Sequence, residues 1–152
     1  MIKLENVTKR YGNLTAVDEL SLHVESGELF GFLGPNGAGK TTAIRMLAGL
    51  ARPDAGRVIV GGFDMATRAL EAKRLIGLVP DRPFLYGRLR GEEFLRFVAD
   101  LYGVDEAAFR AKIHELLPLF RLEEWRSELI EAYSHGMRQK LVFAAALLHD
   151  PQ

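Results

Sequence analysis

The stretch 34-GPNGAGKT-41 decides how this chain is read. It fits the spacing G-x-x-x-x-G-K-[ST], with Gly34, Gly39, Lys40 and Thr41 at the fixed positions. What surrounds it is the context such a loop requires. The short apolar run 28-ELFGFLG-34 reads as a strand buried on both faces. Behind it, Ile44, Leu47, Ala48 and Ala51 recur at helical spacing until Gly49 and Pro53 end the helix. A strand, a glycine-rich turn and a helix start therefore follow one another over a few residues.

The physical reason for that order is anion binding. Glycines at 34, 37 and 39, with Pro35, Asn36 and Ala38 between them, let the backbone curl so that successive N–H groups face one concavity. The helix adds the positive end of its dipole. Lys40 supplies a point charge for β- and γ-phosphates, the Thr41 hydroxyl suits Mg²⁺, and Thr42 adds a hydroxyl towards the α-phosphate. The ligand implied is a nucleoside triphosphate with Mg²⁺. A dinucleotide is not implied, because Gly37 and Gly39 are followed by Thr42 and leave G-x-G-x-x-G incomplete.

Composition sets the frame around the loop. A chain of 152 residues with 48% hydrophobic and 26% charged residues has the make-up of an ordinary globular domain. Twenty lysines and arginines balance twenty aspartates and glutamates, so no overall field favours nucleic acid, and no nucleic-acid partner is expected. The absence of cysteine rules out disulfides and thiolate metal sites. The amino terminus, MIKLENVTKRYG, alternates in polarity and does not read as a signal peptide, and the apolar run 141-LVFAAALL-148 is too short to span a bilayer. A cytosolic location is expected.

Along the chain, IKLENVTKRYG and LTAVDELSLHVESGE alternate as strands, the second with Leu20, Leu22 and Val24 on one face. GRVIVGG and RLIGLVP read as further short strands around a charged helical stretch, Ala69 to Arg74. Beyond the prolines at 80 and 83 the pattern turns helical. GEEFLRFVADLYGV places Phe94, Phe97, Val98 and Leu101 on one helix face, and EAAFRAKIHELLPLF does so with Phe109, Ile113, Leu116 and Leu117 before Pro118 limits it. The expected organisation is an α/β fold of the P-loop class: a mixed-sheet core over 1–81 and a helical subdomain over 82–152.

With those motifs in place, the whole chain resembles the ATP-binding subunit of ABC transporters. VTKRYG followed by LTAVDELSLHVESGELFGFLGPNGAGKTT looks like the opening of that domain, and YSHGM, Tyr133 to Met137, stands at the place of its Leu-Ser-Gly-Gly-Gln signature. Ser134 and Gly136 match the signature; Tyr133, His135 and Met137 depart from it, in a form similar to exporter-type ATPases. The resemblance implies ATP with Mg²⁺ as ligands, Tyr11 stacked on adenine, and Val17 near the base or ribose. It implies that Ser134, His135, Gly136 and Met137 meet the γ-phosphate of ATP held by a second ATP-binding subunit in a head-to-tail dimer. Taken alone, Ser134 is simply a helix cap.

Asp81, at the end of RLIGLVPD, stands where most of the family has a glutamine touching Mg²⁺ or the attacking water. Aspartate remains an oxygen ligand for a hard cation, though shorter and charged. An apolar run ending in aspartate could equally be the acidic strand of a small GTPase, but that class needs a glycine three residues on, where Phe84 stands. Lys40 and Asp81 contribute to a catalytic set that is not complete. In the family an apolar strand ending in Asp-Glu follows the signature helix, then a histidine, and the present sequence closes at LLHDPQ. The expectations that follow are a truncated subunit that binds ATP weakly, hydrolyses it little, and is marginally stable or associates through an unpaired sheet edge. Transmembrane permease subunits, met through Asp81 to Tyr86, and a peripheral place on the inner face of the membrane are further implications. A non-transport ABC ATPase or a non-catalytic nucleotide-binding module are the alternatives.

Overall fold

The computed structural model describes residues 1–81 and 84–152; Arg82 and Pro83, where the sequence places the join between its halves, lie outside the described residues. The chain divides into two compact units, Met1–Ile76 with Gln152, and Gly77–Pro151. The division thus falls ahead of the expected 81/82 join.

The first unit is built on four antiparallel strands in the order β2-β1-β3-β4: β1 Ile2–Tyr11, β2 Leu14–Val24, β3 Ala55–Val60 and β4 Phe63–Asp64. The β1–β2 hairpin turns through Gly12 and Asn13, with Tyr11 opposite Leu14 and Ile2 opposite Val24. Gly12 takes φ +57°, as a tight two-residue hairpin turn requires. Three register shifts, between Leu4 and Val7, Val7 and Lys9, and Lys9 and Arg10, bend this ribbon, and Asn6 and Glu19 take positive φ beside them. The Asn6 N–H finds the Ser21 hydroxyl at 3.0 Å and the Glu19 N–H finds the Thr8 hydroxyl at 3.0 Å. Because of the irregularity at Glu19, Val17 joins Leu20 and Leu22 on the core side despite the odd spacing.

Helix α1, Lys40–Leu47, lays Met46 on this face against Leu4, Val7, Val17 and Val58. Its buried side is therefore Ala43 and Met46, while Ile44, part of the apolar spacing, is exposed. Helix α2, Ala69–Arg74, closes the unit where the charged stretch was expected.

Two expected strands do not form. Residues 28–34 and 77–80 carry no strand, and among the described residues the sheet's three ladders are antiparallel. Leu29 and Leu33 stand 101% and 93% exposed. A strand buried on both faces needs neighbours on both edges, usually far away in sequence. Among the described residues no segment pairs with either run.

The second unit is helical: α3 Gly91–Tyr102, α4 Glu106–Phe120 and α5 His135–Leu147, with 3₁₀ turns at Glu123–Trp125 and Ile130–Ala132. Its core joins Phe94, Leu95 and Ala99 of α3, Phe109, Ile113, Leu116 and Leu117 of α4, and Leu141, Ala144 and Ala145 of α5. The α4 face is the one its spacing predicts. On α3 the face is rotated: Leu95 and Ala99 are buried, whereas Phe97 and Leu101 are exposed. Asp105 caps α4 by accepting from the Ala108 N–H at 2.8 Å. Pro118 lies inside α4, which continues to Phe120 before Arg121 adopts the left-handed conformation.

Candidate functional site

The phosphate loop belongs to the first unit, and its shape follows from two glycines with left-handed backbone. Gly37 has φ +85° and Gly39 has φ +82° with ψ 0°, the latter as the residue that opens α1. A side chain at Gly39 would be strained twice over: a Cβ there would lie 2.3 Å from the Ala16 carbonyl oxygen and 3.0 Å from a Val17 methyl. The loop is thus seated on β2, and its helix begins where the strand's backbone permits.

The Ala38 N–H closes a turn on the Pro35 carbonyl at 3.3 Å, and the Ala43 N–H bonds the Gly39 carbonyl at 2.9 Å as the first helical link. The N–H groups of Lys40, Thr41 and Thr42 precede that link and have no intrahelical acceptor, which leaves them for an anion. No side chain caps this end. The Lys40 ammonium folds across the loop and donates to the Gly34 carbonyl at 2.6 Å and the Pro35 carbonyl at 2.7 Å. These bonds hold it at the loop rather than extended into solvent. The exposed Thr41 hydroxyl on the first turn is an oxygen donor of the kind Mg²⁺ accepts, so the residues fit that ion.

At the end of β1, Tyr11 is 47% exposed, and the Lys9 ammonium stands 5.4 Å from its ring centre. Asp54 braces this strand end, accepting from Lys9 Nζ at 2.9 Å and from the Arg10 N–H at 2.7 Å. The Lys9 bond, and then the Arg10 N–H, hold its carboxyl below the usual aspartate range. Val17 requires a correction. It is 7% exposed and packed among sheet and helix side chains, so it offers little surface to a base; its methyl instead borders Gly39.

In the second unit, Ser134 takes an extended conformation and opens α5, its hydroxyl accepting from the Met137 N–H at 3.3 Å. Ser134, His135 and Gly136 are exposed, and Met137 is partly buried against the core. A Cβ on Gly136 would meet nothing within 4 Å, so no contact inside the chain demands glycine there. Asp81 is exposed and lines a groove of about 400 Å³ with Leu85, Glu131, His135 and Arg138. Asp81 belongs to this unit and Thr41 to the first.

Two carboxylates outside these sites, Asp64 and Asp100, are partnered. Asp64 accepts from Arg57 Nε at 2.9 Å and from the Ala66 N–H at 2.8 Å, which hold its carboxyl low, the backbone bond most of all. Asp100 is bonded by Arg96 along α3. Glu123 and Glu124 lie on a 3₁₀ turn, away from any strand. Among the described residues no cluster of three or more histidine, aspartate or glutamate side chains could hold a metal. Sequence reasoning missed Tyr133, treated only as a departure from the signature. It is 3% exposed and donates to the Trp125 carbonyl at 2.6 Å, a bond between segments that no local pattern announces.

Known proteins agree with this geometry. The profile of the family described as "ABC transporter" matches residues 17–152. The linearmycin resistance ATP-binding protein LnrL of Bacillus subtilis is 39% identical over 152 residues, 100% of this chain and 49% of that protein. A Nod factor export ATP-binding protein I of Paraburkholderia xenovorans is 42% identical over 150 residues, 99% of this chain and 49% of that protein. The chain spans about half the length of these curated relatives. A solved ATP-binding subunit of an ABC transporter superposes with a TM-score of 0.91 at 32% identity, over 99% of this chain and 62% of that one. A bacterial ABC transporter cassette solved as a dimer matches at 0.84 and 27%, over 99% of this chain and 71% of that one. Among the described residues no helix is long and apolar enough to cross a membrane. A glycine-strained phosphate loop, a serine-capped signature helix and these matches agree: the chain belongs to the ABC transporter family, in the P-loop fold of its ATP-binding subunits.

Proposed function

We propose that this chain binds Mg²⁺-ATP as part of a subunit that drives export through a membrane permease. The observation that carries the reading is the Gly39–Lys40 junction, where a left-handed glycine seated on β2 frees the first N–H groups of α1 and the Lys40 ammonium lies over the loop. Gly34 to Thr42 hold the phosphates, Lys40 supplies their counter-charge, and the exposed ring of Tyr11 stacks under adenine. Thr41 would hold Mg²⁺ through its hydroxyl, and the ion would supply neutralisation of phosphate charge.

Ser134 to Met137 act in trans, on the γ-phosphate of a nucleotide bound to a second ATP-binding subunit. Support comes from Gly136, whose empty Cβ position lets an outside group approach the α5 start closely. The division into a sheet unit with the phosphate loop and a helical unit with the signature belongs to the same reading. The permease, at the inner face of the membrane, meets the second unit at the segment that carries Asp81, Phe84, Leu85 and Tyr86, where the exposed rings of Phe84 and Tyr86 stack edge to face at 5.4 Å. Relatives named for export and drug resistance favour the outward direction.

Calorimetric titration of the 152-residue chain with Mg²⁺-ATP tests the binding step. Lys40→Ala is expected to weaken affinity about ten- to a hundredfold, the worth of charge-assisted bonds to phosphate. Its effect on unfolding should stay within about 0.5 kcal/mol, since the side chain packs into no core. A wild-type chain that does not bind, or equal affinity in the variant, contradicts the proposal.

A further inference from the structure

The residue before the signature serine is built into the protein more firmly than any other in that motif. Tyr133 is buried, its hydroxyl donates to the Trp125 carbonyl at 2.6 Å, and its ring meets the Trp125 ring edge-on at 6.0 Å. The segment it reaches is itself fastened to the start of α3. The Gly91 N–H donates to the Glu128 carbonyl at 3.2 Å, the Glu92 N–H to the Arg126 carbonyl at 2.9 Å, and the Ile130 N–H to the Leu89 carbonyl at 2.9 Å. Gly91 sits directly against the phenol: a Cβ there would come 2.1 Å from the Tyr133 hydroxyl oxygen and 3.1 Å from the carbon bearing it. On the far side of Ser134, Arg138 of α5 donates to the Ile130 carbonyl at 3.2 Å and the Glu131 carbonyl at 2.8 Å.

Ser134 is therefore held between two tethers that end on the same segment. Its own bond to the Met137 N–H is long, at 3.3 Å, so its placement depends on what holds the chain before it. A leucine in place of Tyr133 has no hydroxyl to donate to the Trp125 carbonyl.

We propose that Tyr133 is a positioning residue for the signature turn: its hydroxyl, anchored on the Trp125 carbonyl in space left free by Gly91, fixes where Ser134 opens α5. The consequence for γ-phosphate recognition rests on the in-trans reading above; the positioning itself does not. Burial of the phenol, with the Glu128 carboxylate nearby, raises its pKa, which keeps the hydroxyl a proton donor.

The test is residue-resolved amide exchange on the full 152-residue chain. Tyr133→Phe keeps the ring and removes one hydrogen bond, so exchange at the Met137 and Arg138 amides should quicken about five- to tenfold while the buried α5 amides of Leu141 to Ala145 stay unchanged. Unchanged exchange at Met137 and Arg138, or an equal rise along all of α5, overturns the proposal. Gly91→Ala provides a second arm. It should quicken the same two amides more in the Tyr133 background than in the Phe background, because its closest clash is with the hydroxyl; equal effects in both overturn the coupling. Sedimentation with Mg²⁺-ATP adds the functional arm, where weaker association of Tyr133→Phe at unchanged nucleotide affinity is expected. A wild-type chain that never associates with ATP contradicts the in-trans reading, while the exchange pattern still decides the role of Tyr133.

Discussion

Gly39 and Ala16 set the phosphate loop on its sheet: a Cβ on the glycine would stand 2.3 Å from the alanine carbonyl oxygen. A contact that close with backbone cannot be relieved by a rotamer change. Gly39→Ala must also hold φ +82°, a region that costs an L-residue of order 1–3 kcal/mol. The variant should lose at least that much stability in urea unfolding and bind Mg²⁺-ATP weakly in calorimetry. Wild-type values in both would show that the loop can move off β2 freely.

Ser134 offers a milder case, because its hydroxyl satisfies only one N–H at the start of α5. Ser134→Ala should cost about 1 kcal/mol in denaturant unfolding, and Ser134→Gly only a few tenths. An alanine variant as stable as the parent would mean that water caps the helix equally well.

Acid should loosen the strand end that carries Tyr11. The Asp54 carboxyl is held below its usual range by Lys9 and then by the Arg10 N–H. A lowered folded-state value means that the stabilisation is present above the unfolded aspartate pKa and fades as pH falls through the folded one. Asp54→Asn should flatten that part of the stability–pH curve and leave neutral-pH ATP binding intact. An acid limb of the same steepness in the variant counts against this brace.

The two assignments of the α3 face can be separated by truncation. Leu95 is fully buried in the helical core and Phe97 is 42% exposed. Leu95→Ala should cost about 2–5 kcal/mol, and Phe97→Ala about 1 kcal/mol or less. Reversed costs in thermal unfolding would restore the face expected from spacing alone.

The phosphate loop was legible from eight consecutive letters because its physics is local: left-handed glycines, a helix start and a cation lie within a few residues of one another. Helix α4 was legible for a similar reason, since Phe109, Ile113, Leu116 and Leu117 form a single stripe with no competing one. Helix α3 carries two overlapping stripes, and only docking against α4 and α5 selects Leu95 and Ala99 over Phe97 and Leu101. Val17 changed meaning in the same way, from base-packing candidate to core residue, through an irregularity at Glu19 that alternation does not display.

By itself, then, the sequence determined the elements whose causes lie within one or two turns of chain: the loop at Gly34 to Thr41, the Ser134 cap, and the two alternating strands on either side of Gly12. Tertiary structure alone decided what depends on partners distant in sequence. The apolar runs at 28–34 and 77–80 form no strand because strand identity requires a paired neighbour. Tyr133 takes its role from the Trp125 carbonyl and Gly91 its necessity from Tyr133, contacts that exist only once the helical unit has closed.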